Sequence, residues 1–177
     1  MLKTLRKIRR AESGMAAVEF ALVLPAMIAL AFGAIEVTSA LICKADVRNT
    51  ASSAADLVAQ ESQVRQTDLN NVFSALGSLF YPYPTQSASV VITSVIDDGH
   101  GGGKVDWSSA YNATARTQGA PVTVPTGLIT TGGSVVMSEV SYTYTPLRGV
   151  FVRFPIVMNN TFYSHPRRVA QIRWVNS

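Results

Sequence analysis

The stretch Arg9–Glu36, RRAESGMAAVEFALVLPAMIALAFGAIE, decides how the rest of the chain is read. From Met15 to Ile35 it runs for 21 residues with a single ionisable side chain, Glu19. As a helix this run spans about 31 Å, and the hydrocarbon of a bilayer is about 30 Å thick. It is longer than the apolar region of a secretory signal, and no clear small-x-small cleavage site closes it. The segment 15–36 is therefore a transmembrane-helix candidate. Lys3, Arg6, Lys7, Arg9 and Arg10 precede it, so the positive-inside rule keeps the N-terminus in the cytoplasm and sends the remainder outward.

Two residues inside the run need a reason. A carboxylate at the centre of a membrane helix costs about 2.5–3.5 kcal/mol, and less near an end, so Glu19 is not filler. Pro25 lacks an N–H and crowds the carbonyl of Ala21, which predicts a kink or a local opening of the helix.

The basic leader also accounts for the charge. Residues 1–14 hold five bases against Glu12, a surplus equal to the formal +4 of the whole chain, and the rest is neutral overall. A sequence pI near 9.5 thus gives no ground for a nucleic-acid partner. Within the neutral part, residues 139–177 carry five arginines against Glu139, either a solvated face or one that meets headgroups or an acidic partner. Cys43 is the only cysteine, which excludes an intramolecular disulfide and a cysteine-based metal site. Core packing is its expected role, with an intermolecular disulfide as the alternative. At 177 residues, one modest domain and an anchor are expected.

A basic leader ending in Gly14, followed by Met15-Ala16-Ala17-Val18-Glu19-Phe20 and an apolar helix, resembles the processing site of type IV pilin-like proteins. More narrowly, GMAAVEFALVLP followed by FGAIEV and an alanine-rich helix is similar to the TadE-like pseudopilins of tight-adherence (Flp) pilus systems. The resemblance covers residues 9 to about 60; beyond them only VSYTYTPL and PRR are similar, while Thr38, Ser39 and Leu41 stand where such proteins often have Gly and Arg or Tyr. It implies that a prepilin peptidase, a membrane-embedded aspartic enzyme, cuts between Gly14 and Met15, leaving Glu19 as the fifth mature residue. The α-amino group so exposed has a reference pKa of about 7.7–8 and sits at i, i+4 from Glu19 on one helical face. Glu19 can then pair with its own terminus or, as the resemblance implies, with that of an adjacent subunit. Other pilins or pseudopilins, an inner-membrane assembly platform and the lipid bilayer are the implied partners.

Beyond the membrane the helix meets no Gly or Pro between Ala34 and Leu76, and Val47, Thr50, Ala51, Ala54 and Val58 form a narrow stripe of small residues. It packs on the chain's own domain or on another subunit. Leu69, Val72, Phe73, Leu76, Leu79 and Phe80 predict a second helix ending before Pro82 and Pro84. SASVVITSVI, GHGGGK and VDWSS then read as strand, turn and returning strand. Residues 112–134, rich in Thr, Gly, Ala and Pro, read as a long surface connection. SVVMSEVSYTYTPL alternates as a strand, with Val136, Val140, Tyr142 and Tyr144 on one face. In LRGVFVRFPIVM, Leu147, Val150, Phe151 and Phe154 fit a helix bracketed by Gly149 and Pro155, which either packs on the sheet or rests on the membrane surface. VAQIRWV is a last strand with Ala170, Ile172 and Trp174 on one face.

Chemistry is sparse. Asp97, Asp98 and His100 in DDGHGGG lack the further ligands of a calcium loop or a zinc site, and a hairpin turn explains them. No phosphate-cradling glycine motif opens a helix, and His165 has no nucleophile or orienting acid beside it in the sequence. Asn112-Ala113-Thr114 and Asn159-Asn160-Thr161 match the glycosylation pattern, a string common by chance. The expected architecture is α+β: leader 1–14, transmembrane helix 15–36, extramembrane helical region 37–81, and a β-rich extracytoplasmic domain 82–177 with an antiparallel sheet. The expected function is that of a non-enzymatic minor pseudopilin without cofactor or metal. The alternative is an unprocessed, single-pass membrane-anchored binding domain, which leaves Glu19 and the leader's ending without a purpose.

Overall fold

The computed structural model describes residues 12–146, 151 and 153–176. The chain forms two compact units, one made of the segment up to Ala40 with Pro146–Phe154, the other of Leu41–Thr145 with Pro155 onward. Helix α1, Glu12–Ala59, contributes to both and continues through Pro25. In the first unit every α1 residue from Gly14 to Ile28 is exposed, so nothing among the described residues covers that apolar surface.

In the second unit the helix changes character. Cys43, Val47, Thr50, Ala51, Ala54 and Val58 are fully buried, one face at a 3.6-residue period, as the stripe of small residues predicts. After Ala59 the chain adds a two-residue strand β1, Gln63–Val64, and helix α2, Gln66–Gly77. The Arg65 N–H donates to Asp68 Oδ2 at 2.9 Å, satisfying an amide at the head of α2. Leu69, Phe73 and Leu76 are buried, and a 3₁₀ turn, Ser78–Phe80, buries Phe80 before Pro82 closes the helical region.

The sheet has five strands, β2 (Ala88–Asp97), β3 (Gly103–Tyr111), β4 (Pro121–Val122), β5 (Ser134–Tyr144) and β6 (Ile156–Ser164), in the order β4-β3-β2-β5-β6. All neighbours are antiparallel. The β2–β3 hairpin turns through Gly99 and Gly101, whose φ of 81° and 84° L side chains rarely adopt. Register puts Val90, Ile92, Val136, Val140 and Tyr142 on one face. Tyr142 there stacks on Phe80 with centroids 5.1 Å apart, and Gln66 Nε2 of α2 donates to Ser109 Oγ of β3 at 3.0 Å. Opposite Ser94 and Val95 of β2, strand β3 carries one extra residue, Asp106, so that Val105 leaves the face of Trp107 and joins Val95, Val122, Val135 and Met137 in a second cluster on the opposite face.

Three expectations are corrected by the structure. The connection 112–134 is not only surface: Val122 lies in β4 and is buried, and Val124, Leu128 and Ile129 pack on the second cluster. Among the described residues of 147–158 no helix is present: Phe151 and Phe154 are non-helical and β6 starts at Ile156, while Leu147 and Val150 lie outside the described residues. The closing strand β7 is only Arg173–Trp174 and pairs in parallel with β1 rather than joining the main sheet; Ala170 is exposed while Ile172 is fully buried.

Thr50, Ser94 and Ser138 are buried with hydroxyls that lack a hydrogen-bond partner among the described residues. Burying such a group costs about 1–3 kcal/mol, whereas an apolar replacement of the same shape restores the balance. Ser138→Ala and Thr50→Val should each stabilise the domain by about 1 kcal/mol, read as a higher urea midpoint by near-ultraviolet circular dichroism of the full chain in micelles. Cys43 is a core residue, and burial, with the Asp46 carboxylate adding to it, pushes its thiol from an ordinary 9.0 up to about 11. At pH 8 that leaves about a hundredfold less thiolate, so the folded chain should react with a disulfide reagent at least that much more slowly than the urea-unfolded chain.

Candidate functional site on the N-terminal helix

Gly14 and Met15 lie in the first turn of α1, where amides lack helical acceptors and the backbone opens most easily. A Cβ on Gly14 would meet nothing within 4 Å, so packing among the described residues gives no reason for a glycine there. Glu19 follows one turn after Met15 on the same face, and both are exposed. Around them Val18, Phe20, Leu22, Val23, Met27, Ile28 and Leu30 are also exposed, with Leu22 and Leu30 at 75%. A carboxylate on a bare apolar helix has one obvious chemistry, which is to accept a cation or a donor from outside its own chain. Pro25 lies within the same bare stretch.

A second acid was not singled out by sequence reasoning. Glu36, immediately after the apolar run, is buried at 7% exposure, and its Oε2 accepts the Phe151 N–H at 3.0 Å. The Phe151 ring lies 3.6 Å from where a Cβ on Gly33 would stand. That distance is ordinary van der Waals contact, so the ring packs closely on α1 one turn below the carboxylate. Two signals were present, an acid closing an apolar run and a glycine three residues before it, but their partner is 115 positions away.

The remaining chemistry-bearing residues are placed as follows. Asp97 Oδ1 accepts the Gly99 amide at 3.1 Å, and Asp98 Oδ1 those of His100 at 2.7 Å and Gly102 at 2.9 Å. The His100 amide, then that of Gly102, holds the Asp98 carboxyl below the usual carboxylate range. These acids serve the hairpin turn, and among the described residues no group of three or more His, Cys, Asp or Glu side chains is placed to hold a metal. His165 Nε2 lies 2.7 Å from the Leu128 carbonyl. An open groove of about 1100 Å³ is lined by Asp106, Trp107, Arg116, Arg173 and Trp174 among others. The Trp107 Nε1–H donates to the Ile172 carbonyl at 2.8 Å, and burial pushes the Asp106 carboxyl up. Of the five late arginines, Arg167 is paired with Asp56 of α1, which leaves fewer charges for a basic face.

No curated protein and no solved structure matches the chain. The family model described as TadE-like protein matches residues 14–56, from the glycine at the head of α1 to three residues short of its end. α1 is also the one helix among the described residues long and apolar enough to cross a membrane. Over residues 14–56, about a quarter of its length, the chain is similar to TadE-like proteins.

Proposed function

We propose that the chain is a minor pseudopilin of a tight-adherence pilus, held in the bacterial inner membrane by α1 until it takes part in pilus assembly or initiation. In this reading a prepilin peptidase removes residues 1–14 on the cytoplasmic side, and the domain beyond α1 is periplasmic. Glu19 pairs with the ammonium of Met15 that cleavage creates, its own or that of a neighbouring subunit. The role is structural, and the partners are the peptidase, other pilins, the assembly platform and lipid.

The observation that carries the reading is the order Gly14, Met15, Glu19 at the head of a helix whose apolar side chains have no cover within the chain. A glycine without an intrachain reason fits a peptide bond that another protein must grip, since a missing side chain lets an enzyme's backbone approach closely. An acid at i+4 from the new terminus fits a charge that appears only after the cut.

Mass spectrometry of the chain purified from cells with an active prepilin peptidase should give a mature protein beginning at Met15. Retention of residues 1–14 would instead leave an unprocessed, single-pass anchored binding domain. Glu19→Ala should insert in the membrane at least as well as the native chain, because it removes a group costing up to about 3 kcal/mol in hydrocarbon. The same variant should lose pilus assembly, scored by shed filaments; normal piliation would remove the pairing role.

A further inference from the structure

Phe151 lies against α1 at the end of the apolar run. Phe151 is fastened there by two contacts, its N–H to Glu36 and its ring over Gly33. If residues 15–35 fill the hydrocarbon, Gly33 lies inside it and Glu36 at its boundary. Yet Phe151 remains 54% exposed and Phe154 67% exposed, with Arg153 exposed between them. Beside the Phe151 ring, α1 offers Leu30 and Val37, and an open apolar groove of about 540 Å³ runs past Ala34.

We infer that Phe151, Arg153 and Phe154 form a second membrane contact, a foot seated in the outer leaflet at the boundary between headgroups and acyl chains. Lipid is the occupant because the patch is continuous with the span itself: the groove beside Phe151 is walled by the same helix turn that the bilayer surrounds. Aromatic rings favour that depth, and an arginine between them keeps its head among phosphates while its stem lies with the rings. The contact to Glu36 fits the same place. A carboxylate at the rim of the hydrocarbon is costly when bare, and here a backbone amide donates to it while the Phe151 segment covers it. The inference rests on the reading of α1 as a membrane span.

The test uses the full chain reconstituted in phosphatidylcholine–phosphatidylglycerol vesicles, with Cys43→Ala as background. An environment-sensitive fluorophore is attached at Phe154→Cys, at Arg153→Cys as a second foot position, and at Leu30→Cys within the span. Lipids spin-labelled high on the acyl chain should quench both foot probes, and iodide quenching should be severalfold weaker than for the same chains in urea. The Leu30→Cys probe should be quenched by deep spin labels. Foot probes open to iodide and untouched by lipid quenchers, with Leu30→Cys still in lipid, would overturn the foot and leave the span standing. A Leu30→Cys probe open to iodide would overturn both. Properly folded chains are recognised by near-ultraviolet circular dichroism, and either foot position suffices for the decision.

Discussion

The contact on which the domain depends is the seating of α1's small-residue face, Ala51, Ala54, Ala55 and Ala59 among fully buried neighbours. A sheet with one apolar face cannot hold a domain unless another layer covers it. Alanines add little area each, but packing at interior density recovers in dispersion part of what the short side chains lack in surface. The arrangement also fixes what the core will not accept. A methylene added at Ala54 has no space to fill, and overpacking of this kind costs about 1–3 kcal/mol. Val47 and Val58, the larger members of the stripe, mark its two ends.

The same helix meets different surroundings along its length, and its sequence changes accordingly. Up to Leu30 its apolar residues point in all directions, the pattern of an element surrounded by apolar medium. From Cys43 they keep to one side while Lys44, Arg48 and Asn49 remain exposed. Glu36 lies between the two regimes, at the position where neither lipid nor core would tolerate an unsolvated acid without a donor. Its partner amide therefore has a clear physical task.

Much of this was legible from periodicity. The stripe on α1, the apolar face of α2, the β2–β3 hairpin and β5 each repeat a signal over three or more positions, so that single departures do not hide it. Val122, Leu128 and Ile129 were missed because they sit singly among Thr, Gly and Pro, where no period can form. The β1–β7 pair has two residues per strand, too few for alternation, and it joins positions 110 residues apart that no local pattern relates. The 147–158 segment shows helical spacing by coincidence; β6 needs only Met158 fully turned inward, because an edge strand is covered on few sides. The fastening of Phe151 to Glu36 joins residues that no local pattern relates. For the candidate site, Gly14 and Glu19 were readable as a spacing, whereas their exposure required coordinates.

The bare portion of α1 has a thermodynamic consequence for any journey the protein makes. Nine large apolar side chains between Met15 and Leu30 are more than a third exposed, and each is worth about 1.5–3 kcal/mol when removed from water. Passing through water as a free monomer would forfeit roughly 13–27 kcal/mol, more than the entire folding stability of an ordinary domain. The helix can therefore leave one apolar host only as it enters another. If the bilayer is its first host and neighbouring helices its next, leaving the one and docking on the other is a single coupled exchange with no soluble intermediate.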